Sequence, residues 1–342
     1  MYHQRVIAGL PPLTLTPRPP FDPGPILAYY GRSPLEPLDD VSEGTWRRAV
    51  RLDGRPVLFE VASDGTVEAP RLTVRVLEMA PTPAGAMHAG AMNRAPTDDA
   101  HVGARYIAPA LARAAEAVTR WWRLDQNPAE LEPVAQRDPI LGELLARLRG
   151  ARAPLMPSPF ECLVWAILGQ QITVAFAYKM KRALVERYGE SLEHAGRTYR
   201  LFPEAARLAE ADPAELRELQ FSRQKSDYVR SLATLVAEDR IDWNDLATMP
   251  SEAAVKALTA LRGVGRWTAE YVLMRGLGHE DVIPAADVGL QAAIGRAYGL
   301  GRKATEREVR ELAEHWVPHR SYAAFAWWWS LSASRGHQAP PP

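Results

Sequence analysis

The sequence predicts an α+β protein, with a small N-terminal α/β domain built on an antiparallel sheet and a mainly α-helical body after it. Three features predict it. Residues 45–79 contain three runs that alternate polar and apolar side chains, punctuated by Asp-Gly pairs. From Tyr106 onward, apolar residues recur at helical spacing almost to the end of the chain. Between these regions, 80–104 is rich in Ala, Pro and Gly and has no period, so it reads as a flexible loop.

The 29 prolines cluster early, in PPLTLTPRPPFDPGP, and each X-Pro pair pushes its first residue out of the helical region, so the opening should be extended. TWRRAVRL (45–52), RPVLFEVA (55–62) and PRLTVRVLEM (70–79) are the strand candidates, with turns at Asp53-Gly54 and Asp64-Gly65. Helices are expected in IAPALARAAEAVTRWWRL and DPILGELLARLRG, and in the long stretch from Phe160 to Gly189, which breaks around Gly169. Others are expected in PEAARLAEA, PAELREL, KSDYVRSLATLVAED, SEAAVKALTAL, WTAEYVLMRGLG, VGLQAAIGRAYG, EREVRELAEHW and YAAFAWWWSL. The resulting division is 1–125 for the first domain, 126–336 for an all-helical body, and 337–342 for a disordered tail.

Composition narrows the function. The chain has 342 residues, 47% of them hydrophobic, and balances 41 basic against 41 acidic side chains, which argues against a partner held by bulk charge. The single cysteine, Cys162, excludes an intramolecular disulfide framework, a four-cysteine zinc site and a four-cysteine iron–sulfur cluster, and it suits a reducing compartment. No apolar run reaches the roughly 18–20 residues of a membrane span, and the start lacks the features of a signal peptide. The expectation is a cytoplasmic protein with no membrane partner.

The most informative run is LRGVGRWTA at 261–269, lying between two helical segments at about 253–275. Glycines on either side of Val264 permit a tight hairpin whose backbone can closely approach another molecule. Gly263, Val264, Gly265, Arg266 and Thr268 then present backbone N–H groups at a helix start, an arrangement that holds a phosphate. An ordinary helix–Gly–helix turn would look the same in isolation. Twenty positions beyond Trp267 comes VIPAAD, which ends in Asp287 at the start of the next helix.

Together, LRGVGRWTA and VIPAAD resemble the helix–hairpin–helix, Gly/Pro-Asp signature of a DNA glycosylase superfamily. PFE (159–161) with WAILGQQ (165–171), PHRSY (318–322) with WWW (327–329), and PPFD near residue 20 are similar to its DNA-3-methyladenine glycosylase II branch. The resemblance covers nearly all of the chain. It implies base-excision repair: flipping an alkylated purine of the 3-methyladenine type out of double-stranded DNA and hydrolysing its N-glycosidic bond.

By that resemblance Asp287 is the catalytic residue, although an aspartate there is also a good helix N-cap. A carboxylate facing the sugar stabilises the positive charge that builds on C1′ and can orient or deprotonate a water. Strand-cleaving relatives carry lysine where this chain has Trp267; none of its five lysines lies in the hairpin or the Pro–Asp loop, so water should attack and the abasic site should stay unnicked. Trp267, Tyr271 and Trp328 match the base pocket, with core packing as the plainer reading of each, and an electron-rich pocket suits a cationic alkylated purine. No second carboxylate or histidine is placed by motif as a general acid.

Gln170 and Gln171 match the wedge loop that fills the gap left by the flipped base, with glutamine at the second position where the best-known form has leucine. The backbone carbonyls of Thr259, Leu261 and Val264 correspond to positions that hold a monovalent cation, Na⁺ or K⁺, in the family. No other cofactor is implied, neither zinc nor an iron–sulfur cluster. The partner is damaged duplex DNA, the chain acts as a monomer, and its place is the nucleoid. Two alternatives remain at this level: a related glycosylase for deaminated or oxidised bases, and a non-catalytic DNA-structure-binding protein. Residues 151–200 hold seven basic against four acidic side chains, so the wedge loop lies in a locally basic stretch despite the neutral total. A backbone-mediated grip on phosphates needs little bulk charge.

Overall fold

The computed structural model describes residues 11–80 and 99–333. Among them, five strands form one antiparallel sheet in the order β1-β5-β4-β3-β2. The strands are β1 (Leu13–Leu15), β2 (Asp39–Ser42), β3 (Thr45–Leu52), β4 (Arg55–Ser63) and β5 (Leu72–Met79). The predicted alternating runs are the three long strands β3, β4 and β5, and the Asp53-Gly54 turn carries positive φ at both residues (49° and 76°). The short helix α1 (Gly24–Tyr30) sits between β1 and β2, entered by Pro25, whose missing N–H costs nothing at a helix start. The long helix α2 (Asp99–Trp121) packs on the sheet over a core of Trp46, Phe59, Trp121 and Trp122. The expected loop over 80–104 falls outside the described residues at 81–98, and 99–104 already belong to α2. The expected tail at 337–342 also lies outside them.

The body follows, and most of its helices begin where side-chain caps stand. Helices α3 (Glu132–Arg137) and α4 (Pro139–Arg147) lead to α5 (Pro159–Gly169), capped by Ser158, and α6 (Val174–Tyr188), capped by Thr173. The body is not all-helical. A hairpin of β6 (Ser191–His194) and β7 (Arg197–Arg200) turns at Ala195-Gly196 with φ of 46° and 75°. Its Tyr199, with Leu201 just beyond β7, packs on Ala49 and Leu58 of the five-stranded sheet, which is why so polar a stretch forms strands. The run continues through α7 (Ala205–Ala209), α8 (Pro213–Glu218), α9 (Arg223–Ala237), α10 (Trp243–Thr248), α11 (Ser251–Thr259), α12 (Arg266–Val272), α13 (Val288–Ala297), α14 (Glu306–Ala313) and α15 (Arg320–Ala333). No helix among the described residues is long and apolar enough to cross a membrane.

The body has two cores. One gathers α5, α6, α9 and α11; the other joins α4, α13, α14 and α15 around Trp316 and Phe325. Residues Leu273–Leu277 form a π-helical turn directly after α12, and all five are buried. Such wide turns concentrate at functional sites. Gly276 lets this turn lie on α5, since a Cβ there would come 3.1 Å from that of Cys162. Buried ion pairs fasten the sheet to the body. Arg48 of β3 bonds Asp39 at 2.9 Å and Glu161 of α5 at 2.5 Å, and Lys181 of α6 reaches Glu161 at 3.2 Å and Glu36 at 2.9 Å.

Candidate active site

The hairpin between α11 and α12 is closed by bonds from the Leu261 N–H to the Leu258 carbonyl (3.0 Å) and from the Val264 N–H to the Leu261 carbonyl (3.1 Å). Gly263 is required by its own fold: φ is +92°, and a Cβ would stand 2.4 Å from the ring of Tyr228. Gly265 is different. Nothing lies within 4 Å of its missing Cβ, so no neighbour within the chain demands glycine there. Helix α12 starts from Gly265 with no side-chain cap, leaving the N–H groups of its first turn for an outside acceptor. The side chains predicted with this hairpin turn elsewhere. Arg266 is held by both oxygens of Glu252 (2.9 and 2.8 Å) and by Glu270 (2.9 Å), and Thr268 is buried. Both residues can therefore serve an anion through their backbone alone.

Asp287 caps α13, with its Oδ1 accepting the Leu290 N–H at 2.8 Å. The helix cap and the carboxylate singled out from the sequence are therefore the same group. The indole Nε1–H of Trp328 donates to Oδ1 at 2.9 Å, and that of Trp267 donates to Oδ2 at 3.2 Å. The predicted pocket residues are thus brought together around the predicted catalytic group. Trp267 and Tyr271 lie on one face of α12 with ring centroids 5.5 Å apart, and Tyr271 and Trp328 are 5.7 Å apart. Trp267 and Trp328 are half-buried, as is Asp287, while Val288 beside it is 60% exposed at the mouth. Trp327, the neighbour, packs in the core against Trp316 and Tyr298.

The other end of the aromatic trough is built by residues that sequence reasoning missed. The Tyr271 hydroxyl accepts the Trp165 Nε1–H of α5 at 3.1 Å, and Trp165 lies 4.8 Å from the ring of Tyr178 in α6. Tyr29, from α1, joins them from the N-terminal domain. Two guanidinium groups cover its ring: Arg32 at 3.7 Å and Arg275, from the π-helical turn, at 4.4 Å from the centroid. Arg32 also lies 5.7 Å from the ring of Tyr178. Arg275 is fully buried, and none of its three guanidinium nitrogens has a hydrogen-bond partner among the described residues. Burial pushes the Tyr29 hydroxyl up, but Coulomb attraction to Arg275 and Arg32, with hydrogen bonds from Arg32 and Tyr271, outweighs it and brings its pKa down to about 8. The expected electron-rich pocket therefore already contains cations. No short motif marks Arg32 or Arg275; contacts between elements far apart in the chain define their role.

The wedge residues separate. Gln170 turns inward, its amide donating to the Gly263 carbonyl at 3.1 Å and to the Thr268 hydroxyl at 3.2 Å, so it clamps the loop to the hairpin. Gln171 is exposed and carries a positive φ of 57°. A groove of about 580 Å³ runs between this loop, α9 and the hairpin, lined among others by Gln171, Lys225, Tyr228 and Gly265. Lys225 Nζ donates to the Leu168 carbonyl at 2.6 Å, and burial lowers its pKa. The fold thus brings a lysine beside the wedge loop although none is near it in sequence.

Comparison with known proteins places this geometry. The family model of the HhH-GPD superfamily base excision DNA repair protein matches residues 164–319. A DNA-3-methyladenine glycosylase of Bacillus subtilis is 36% identical over 211 residues, 62% of this chain and 70% of that protein. DNA-3-methyladenine glycosylase 2 of Escherichia coli is 33% identical over 226 residues, 66% of this chain and 74% of that one. The solved 3-methyladenine DNA-glycosylase of Archaeoglobus fulgidus superposes with a TM-score of 0.74 at 26% identity, covering 95% of this chain and 99% of its own.

Proposed function

The chain belongs to the DNA-3-methyladenine glycosylase family, and from that premise we propose that it removes alkylated bases from duplex DNA in the cytoplasm, leaving an unnicked abasic site. The observation that carries the reading is the Asp287 carboxylate, clasped by the Trp267 and Trp328 indoles at the mouth of an aromatic trough. With the flipped base stacked in the trough, its sugar stands at the carboxylate. As the N-glycosidic bond lengthens, positive charge grows on C1′, and the fixed carboxylate meets it without reorganising. A water adds to C1′ and gives up its proton through Asp287. The two indole N–H groups fix the carboxylate so that it cannot swing away.

Binding rests on backbone groups. The N–H groups of Gly263 and of Gly265 to Thr268 take a phosphate, and Gln171 enters the gap left by the flipped base while Gln170 holds its loop in register. The carbonyls of Thr259 and Leu261, at the negative end of α11, with that of Val264, have the oxygen chemistry a monovalent cation takes, which would steady the turn.

The test is release of bases from duplex DNA methylated at purine N3 and N7, followed by alkali. Free methylated base, with strand breaks only after alkali and no release by Asp287→Asn, is the expected result. Absence of release from every alkylated duplex would refute the reading.

A further inference from the structure

The groove between the wedge loop, α9 and the hairpin carries charge that neither the backbone grip nor Asp287 uses. Of the described residues that line it, only Lys225 and Arg262 are charged, and both are positive. This is a local exception in a chain that balances 41 basic against 41 acidic side chains. Among the described residues, neither has a carboxylate within ion-pair distance. Arg266, a few positions beyond Arg262, has both Glu252 and Glu270. Burial alone lowers the pKa of Lys225, with no acidic neighbour to offset it. Two uncompensated cations facing one groove favour an anion there.

Each cation is steadied from behind. An ammonium has three N–H donors. The Leu168 carbonyl takes one from Lys225 at 2.6 Å, and no second acceptor bonds it among the described residues. That carbonyl lies in the last turn of α5, where helices leave carbonyls without partners of their own. Arg262 is exposed on the hairpin, with its guanidinium 5.8 Å from the centroid of the Tyr228 ring. Tyr228 is itself fixed, since its ring lies against Gly263 and its hydroxyl accepts the Gln224 amide at 2.6 Å. The two charges therefore stand on different walls, one on α9 and one on the hairpin. Gly265 lines the same groove, so the groove opens directly onto the first turn of α12.

A DNA strand gripped at the hairpin and parted at the wedge loop must cross between the two. We propose that Lys225 and Arg262 hold a phosphate of that strand in the groove, and that Lys225 ties this phosphate to the wedge loop through the Leu168 carbonyl. The proposal rests on the glycosylase reading above and adds two side-chain charges to the backbone grip. Gln170 and Lys225 then brace the wedge loop from two sides, one through the hairpin and the other through α9.

The experiment measures affinity for a duplex carrying one tetrahydrofuran abasic analogue across a salt series. It uses the full-length protein and its Lys225→Met, Lys225→Arg, Arg262→Met and Arg71→Met variants. Each lost phosphate contact should flatten the slope of log affinity against log salt by about 0.9. Lys225→Met and Arg262→Met should thus each lose about 3.5-fold more affinity at about 50 mM salt than at about 200 mM. Lys225→Arg should keep the slope, as should Arg71→Met, which removes an exposed charge from the turn between β4 and β5. Single-turnover release of 7-methylguanine at saturating protein should be about tenfold slower in Lys225→Met and largely restored in Lys225→Arg. Unchanged slopes, or an equal change in Arg71→Met, overturn the phosphate site. An unchanged rate at saturation overturns the link to the wedge loop. Should Lys225→Met fail to fold, Arg262→Met on the exposed wall decides the phosphate site. Release of no methylated purine by the unsubstituted protein would refute the glycosylase reading, and the slopes would still decide the groove.

Discussion

Trp328→Phe is the most incisive single substitution, because it keeps an aromatic ring in the trough and deletes one hydrogen atom that holds Asp287. The bond it removes, indole N–H to carboxylate at 2.9 Å, is charge-assisted. Bonds of that kind contribute about 1.5–3 kcal/mol. If the whole of that stabilisation is expressed in the transition state, the loss is roughly 10–150-fold in rate, since about 1.36 kcal/mol is a factor of ten. Trp267→Phe removes a longer bond, 3.2 Å, and should lie at the lower end of the range. The assay is single-turnover release of an alkylated base, run as a double-mutant cycle with Asp287→Asn. Asparagine still caps α13, so the fold is kept while the charge goes. If the indoles work through the carboxylate, Trp328→Phe should cost little in the Asp287→Asn background. Full additivity, or a Trp328→Phe rate within twofold of the unsubstituted protein, would refute the reasoning and reduce Trp328 to a stacking surface.

Other consequences can be checked separately. Gly263→Ala forces a Cβ onto the Tyr228 ring at positive φ and should destabilise by about 1–3 kcal/mol, seen as a melting temperature lower by several degrees. Gly265→Ala meets nothing within the chain, so its melting temperature should hold while affinity for duplex DNA falls; the opposite pattern would remove the hairpin from the DNA interface. Borohydride should trap no covalent protein–DNA adduct, because Lys225 Nζ is bonded to the Leu168 carbonyl and no lysine replaces Trp267; a trapped band absent from Lys225→Met would identify Lys225 as a nucleophile. The Tyr29 hydroxyl has a folded pKa of about 8 against an ordinary 10, so its ionisation stabilises the fold increasingly from about pH 8 to 10 and that gain vanishes as pH falls through 8. Relative to Tyr29→Phe, the unsubstituted protein should gain up to about 2.7 kcal/mol over this interval in denaturant melts, and a flat difference would show that the arginines do not hold Tyr29.

Local patterns carried much of this into the sequence. The long strands alternate, and most helix starts sit on Ser, Thr or Asp side chains that cap them in the structure, so both were readable in place. That Asp287, Trp267, Tyr271 and Trp328 gather in one place was readable because three of them lie on one local motif and the fourth on a recognisable closing helix. The hairpin at 191–200 was not, because its strands are polar and are stabilised by Tyr199 seating on a distant sheet. Arg32 and Arg275 lie more than 240 positions apart and meet over one tyrosine, a relation no window along the chain contains. The π-helical turn that buries Arg275 follows a helical pattern with no break in period to announce it. The hydrogen bonds of Gln170 and Arg266 likewise depend on which neighbours the fold supplies, so equal-looking members of a motif acquired different tasks.

The ion pairs that run from Arg48 through Glu161 to Lys181 and Glu36 have a consequence for how the two parts of the chain can be inherited. Each part alone would lose the pairs that cross the boundary, Arg48–Glu161 and Glu36–Lys181, because Glu161 and Lys181 come from the body and Arg48 and Glu36 from the sheet domain. Helix α5, which bears Glu161, also ends in the wedge loop. A hybrid that took its sheet domain from one relative and its body from another would therefore place mismatched charges at the root of the helix that leads into the proposed wedge loop. Exchange at this boundary is tolerable only when all of these partners travel together, so the two halves are expected to diverge as a single unit.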